Sequence, residues 1–102
     1  MDVKIQLNNA LLYNDKSSGK AKTRIGYVMF DENYLQFTNK FKGYNELSAF
    51  YDGVEVFNKI PDEFFGQVVT AHIDTRPNPG NPLKEYRVIT ALEFEKNVIH
   101  LL

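Results

Sequence analysis

Val3-Lys4-Ile5-Gln6-Leu7-Asn8-Asn9-Ala10-Leu11-Leu12-Tyr13 is the stretch that decides the fold class. Val3, Ile5 and Leu7 alternate with Lys4 and Gln6, the period of two expected of a strand with one wet face. The apolar run resumes at Ala10 after Asn8-Asn9, and that asparagine pair predicts a bulge or kink. Residues 14–22 gather turn formers and charges, which predicts an exposed hairpin loop. Beyond it, residues 23–31 alternate again, with Ile25, Tyr27 and Met29 on one face and Arg24, Gly26, Val28 and Phe30 on the other. A strand apolar on both faces either lies centrally in a sheet or offers aromatics to a ligand.

The pattern repeats toward the C-terminus. Aromatics in residues 32–53 fit neither the helical nor the strand period for long. Within them, residues 45–51 read either as a short helix capped by Asn45 or, preferred, as a strand turning at Asp52-Gly53. Val54 and Val56 then read as a strand. Pro61-Asp62-Glu63-Phe64-Phe65-Gly66 opens with proline, carries acids first and closes on glycine, the signature of one helical turn. Residues 67–75 alternate as a fourth strand. Residues 76–85 hold three of the four prolines and read as a second long loop. Residues 86–95 alternate once more, and Lys96-Asn97 turns them into a last strand at 98–102. Eight Val, six Ile, six Tyr and eight Phe suit pleated, half-buried surfaces. The expectation is a single domain over residues 1–102, all-β or mainly β with one short helix, built as an OB-like barrel of five to six strands.

Composition narrows the chemistry. With no cysteine, disulfides, thiolate metal sites and cysteine nucleophiles are excluded, and two histidines make no structural zinc site by themselves. A net charge of −1 does not advertise a nucleic-acid binder, so charge must be read locally. The N-terminus has charges where a signal peptide would be apolar, and no apolar run approaches the roughly 20 residues of a bilayer span. The expected location is therefore cytoplasmic, with no membrane partner. His72 and Asp74 share a face of one strand but lack a third partner, and Glu93 and Glu95 read as an edge protected by charge. No catalytic residue, metal ligand or cofactor is expected, and the chain reads as a non-enzyme.

Local charge points elsewhere. Between Tyr13 and Arg24, Lys16, Lys20, Lys22 and Arg24 stand against Asp15 alone, making the first hairpin a basic finger. Lys40 and Lys42 flank Phe41, and Arg76, Lys84 and Arg87 surround the second loop. Tyr13 and Tyr27 border the finger, Tyr34 and Phe37 precede the Lys40/Lys42 pair, and Tyr86 adjoins Lys84 and Arg87. Spaced cations beside flat aromatic faces are what single-stranded nucleic acid needs, and OB barrels hold it across strands two and three between the 1–2 and 4–5 loops. The candidate contacts are Lys16, Lys20, Lys22, Arg24, Tyr27, Tyr34, Phe37, Lys40, Lys42, Lys84, Tyr86 and Arg87.

The opening strand, Lys16-Ser17-Ser18-Gly19-Lys20-Ala21-Lys22-Thr23-Arg24, and then Tyr27-Val28-Met29-Phe30, resembles the first hairpin of small single-stranded DNA-binding proteins of filamentous phages and related mobile elements. The likeness spans about a third of the chain and rests on a loop type. It implies an OB-like, dimeric, cooperative protein that binds single-stranded DNA without chemistry, in DNA replication or transfer, with Lys20, Lys22, Arg24 and Tyr27 at the DNA. A dimer would pair through the C-terminal strand, whose apolar residues are Val98, Ile99, Leu101 and Leu102. The chain departs from that pattern in the insert at 32–53 and in its slight acidity. The alternative is a small protein-interaction module that docks a replication or transfer protein through exposed aromatics and the proline loop, with no nucleic acid.

Overall fold

The computed structural model describes residues 1–29 and 46–102. The candidates Tyr34, Phe37, Lys40 and Lys42 lie outside the described residues, as does the end of the strand expected at 23–31. Six strands form one antiparallel sheet: β1 (Asp2–Asn14), β2 (Ala21–Met29), β3 (Glu46–Asp52), β4 (Val68–Asn78), β5 (Asn81–Phe94) and β6 (Asn97–His100), in the order β3-β2-β1-β4-β5-β6. One short helix, α1 (Glu55–Lys59), and a 3-10 turn (Asp62–Phe64) lie between β3 and β4. Among the described residues the class is therefore mainly β with one short helix.

The sheet is barrel-like but not closed. Laid flat, β3 and β5 would stand about 19 Å apart, four strand spacings. Instead the Tyr51 hydroxyl on β3 donates to the Ile89 carbonyl on β5 at 2.7 Å, so the sheet curls until these strands face each other across an unpaired seam. The curl wraps one core. Ile5, Leu7, Ile25, Met29, Val69, Ala71, Ile73, Ile89 and Leu92 enter it from the strands, and Val56, Ile60 and Phe64 close it from the helical segment. Phe64 is wholly buried and meets the Phe94 ring edge-on at 5.7 Å.

The expected bulge is present. Leu7 pairs with Tyr27, but Asn9 pairs with Gly26, leaving Asn8 as the extra residue of β1. Residues 45–51 resolve as the preferred strand, β3, which ends at Gly53 with φ +78, a backbone state that glycine adopts without a Cβ penalty. The strand expected at Val54 and Val56 is instead helix α1, with Val56 turned into the core. Two valines spaced two apart carry a strand signal too short to outweigh burial of a single apolar side chain.

The long loop expected at 76–85 is also corrected. β4 continues through Pro77 to Asn78 and β5 begins at Asn81, so these residues form a hairpin arm closed by Pro79-Gly80. β1 accompanies β4 only as far as His72, so the arm's stretch of β4 has β5 on one side and no described strand on the other. There a proline without an N–H leaves no ladder bond unmade. His72 and Asp74, which share a face, have separate partners: His72 Nδ1 lies 2.7 Å from Asp2 Oδ1, and Asp74 pairs with Arg76 at 3.3 Å. Glu93 is covered rather than at an edge, because β6 pairs beyond it with Val98 opposite.

Candidate nucleic-acid interface

The bulge at Asn8 determines what the outer face of the sheet carries. Before it, Ile5 and Leu7 point to the core; after it, the odd-numbered Asn9, Leu11 and Tyr13 point outward, opposite Gly26, Arg24 and Lys22 of β2. β3 extends these rows with Ser48, Phe50 and Asp52. Across three strands the outer face thus reads Leu11–Arg24–Phe50 in one row and Tyr13–Lys22–Asp52 in the next. Phe50 is 61% exposed and Leu11 47% exposed, large apolar groups that a solvent-facing surface would not need. The Tyr13 and Phe50 rings meet edge to face at 6.5 Å across β2.

Arg24 lies between these apolar groups. Its Nε is buried without a hydrogen-bond partner, and it forms no ion pair among the described residues. The buried Nε is out of reach of a ligand, but a guanidinium without an ion pair keeps its charge available to a phosphate.

The basic finger is smaller than the charge count suggests. Only Asp15–Lys20 form the turn, because Ala21 and Lys22 belong to β2. Asp15 organises it: its Oδ1 accepts from the Ser17 backbone N–H at 2.8 Å and the Ser17 hydroxyl at 2.7 Å, and its Oδ2 meets Lys22 Nζ at 3.0 Å. The Ser17 hydroxyl, then the Ser17 N–H and Lys22, hold the Asp15 carboxyl well below the usual carboxylate range. Asp15 in turn raises the Lys22 ammonium, which also lies 3.7 Å from Asp52. Lys22 is therefore a strut for the loop. Lys16 and Lys20 are exposed and form no ion pair among the described residues.

Tyr27 faces the other way from Arg24, packing against the core and lining a cleft of about 470 Å³ along the β3/β5 seam. Tyr86 and Arg87 of the hairpin arm line the same cleft, opposite Ser48 and Phe50. The curl thus brings two arm residues toward the edge of the outer face, although the arm and the β1–β2 turn leave β1 at opposite ends. Lys84 belongs to β5, within that arm.

Of the expected contacts, the structure brings Lys16, Lys20 and Arg24 to one end of the outer face, uses Lys22 internally, and turns Tyr27 inward. Phe50 and Leu11 were not among them. Their signal is present in the sequence: in Glu46-Leu47-Ser48-Ala49-Phe50-Tyr51-Asp52, Phe50 is the one aromatic in phase with the polar residues. Among the described residues no group of three His, Asp or Glu side chains could hold a metal ion, and no helix is long and apolar enough to cross a membrane. No protein-family model, curated protein or solved structure matches the chain.

Proposed function

We propose that this chain is a non-catalytic, sequence-tolerant single-stranded DNA-binding protein, accessory to replication or transfer of phage or mobile-element DNA. The strand lies across the outer face of β1, β2 and β3, with bases on Phe50 and Tyr13 and phosphates on Arg24, Lys16 and Lys20. The observation that carries this reading is the exposed Phe50, edge to face with a half-buried Tyr13, beside an Arg24 that forms no ion pair among the described residues. The resemblance of the first hairpin to phage single-stranded DNA-binding proteins supports it. So does the strand order, which is that of an OB barrel left open between β3 and β5.

Fluorescence anisotropy of labelled single-stranded and duplex oligonucleotides at low and moderate salt tests the reading. Single strands should be preferred, and affinity should fall as salt rises. Phe50→Ala should weaken binding by about 1–3 kcal/mol, the value of one stacked base, with little loss of stability at so exposed a position. No binding at low salt would overturn the proposal. It would favour the second reading, a protein-docking module, for which the specific observation is Leu83 on the hairpin arm, 95% exposed.

A further inference from the structure

On the same outer face, one row beyond Arg24, lies a polar notch. Gly26 lies at its floor, between Asn9 of β1 and Ser48 of β3. A Cβ at Gly26 would come within 2.6 Å of Glu46 Oε1 and 2.7 Å of Asn9 Oδ1, so both oxygens converge over the bare backbone. The bulge makes this possible by putting Asn8 and Asn9 on the same side of the strand. Gln6 Nε2 donates to Asn8 Oδ1 at 3.3 Å, and Asn8 Nδ2 donates to Glu46 Oε2 at 3.0 Å. This relay spends one carboxylate oxygen of Glu46 and aims the other at the notch. Among the described residues, no hydrogen bond reaches Glu46 Oε1 or Asn9 Oδ1.

Two unspent acceptors that converge call for one group with two donor hydrogens. We propose that the notch over Gly26 receives the exocyclic amino group of a base, so that the platform prefers cytosine over thymine; this rests on the reading of the outer face as a nucleic-acid surface. The notch lies two residues along the strand from the Leu11–Arg24–Phe50 row, about 7 Å, which one base can span. A base stacked beside Phe50 therefore presents its edge there. Cytosine offers the N4 amino group to the two oxygens, whereas thymine offers the O4 acceptor and is repelled. A metal ion is a poorer occupant, because the notch has a single carboxylate and Arg24 stands on the same face two residues away.

Oligo(dC) and oligo(dT) of equal length, compared at pH 8 and one salt concentration by anisotropy, isolate the effect, since both are pyrimidines. The wild-type protein should bind oligo(dC) more tightly by on the order of tenfold. Glu46→Gln, which keeps the shape but supplies a donor, should abolish the preference while retaining affinity for oligo(dT). Gly26→Ala should abolish it by filling the notch. Equal affinity of the wild-type protein for the two would overturn the inference and leave the platform standing. Failure to bind either oligonucleotide would overturn the platform and the inference together.

Discussion

Replacing Tyr51 by phenylalanine removes one oxygen and tests whether the sheet is curled in solution as described. The Tyr51 ring is 5% exposed, and its hydroxyl is the described hydrogen bond that crosses the seam from β3 to β5. Phenylalanine fills the same space, so no cavity forms. What is lost is a buried hydrogen bond whose acceptor, the Ile89 carbonyl, is left without that donor, a change worth about 1 kcal/mol or somewhat more. For a domain of this size that corresponds to a fall in Tm of roughly 4–8 °C per kcal/mol, readable by circular dichroism or calorimetry.

A second arm of the same experiment uses pH. Burial, and next the neighbouring Tyr27, pushes the Tyr51 phenol up from its ordinary value. A group whose folded value is raised contributes stability that is full below the unfolded value, about 10, and is lost as pH rises through the folded one. The gap between wild type and Tyr51→Phe should therefore be full at pH 7 and narrow above pH about 10. Identical Tm values at pH 7, or a gap that ignores alkaline pH, would refute the placement of this hydroxyl in a buried bond to Ile89.

Further outcomes are expected elsewhere. Phe64→Ala should cost about 3–5 kcal/mol, measured as a lower denaturation midpoint at unchanged slope, because the ring is wholly buried where the helical segment closes the core. The Asp15 carboxyl is held low, so its contribution is present above the ordinary aspartate value of about 3.9 and disappears only as pH falls through the lower folded value. Amide NMR shifts of Ser17 and Gly19 should hence stay native-like well below the ordinary aspartate value of about 3.9 and collapse together in Asp15→Ala. Replacing Lys16 and Lys20 by alanine should flatten the salt dependence of single-strand binding by about 0.7 per cation, leaving Tm unchanged. Lys22→Ala should instead loosen the β1–β2 turn, seen as faster amide exchange there.

Much of the fold was legible because its elements are regular in the ways that period-two patterns report. β1, β2, β4, β5 and β6 announce themselves by alternation, and the turn at Pro61–Gly66 by its proline, acids and glycine. The misread places are those where tertiary context overrides local chemistry. Val56 is helical because it fills the core, and Pro77 sits in a strand because no described strand flanks that side of β4. The candidate site was legible in its cations and only partly in its aromatics. Charge is visible in composition, and alternation already separates Tyr27 from Arg24, but which of the two faces turns to the core depends on register and curl. Lys22 illustrates the same limit, since its two acidic neighbours come from the turn and from the end of β3.

The single residue inserted at Asn8 acts as a change of parity. Upstream of it odd positions of β1 face inward, and downstream odd positions face outward. Because Tyr27 and Gly26 are consecutive on β2 whereas their partners Leu7 and Asn9 are not on β1, removing Asn8 restores one-to-one pairing and leaves Leu11 and Tyr13 outward and Ala10 inward; what is lost is the Asn8 link to Glu46. Removing a residue from the regular run beyond it has no such remedy, since the strand must then slide by one and carry Asn9 toward the core or turn Leu11 and Tyr13 over. A one-residue deletion in β1 should therefore be tolerated at Asn8 and not at Ala10 or Leu11.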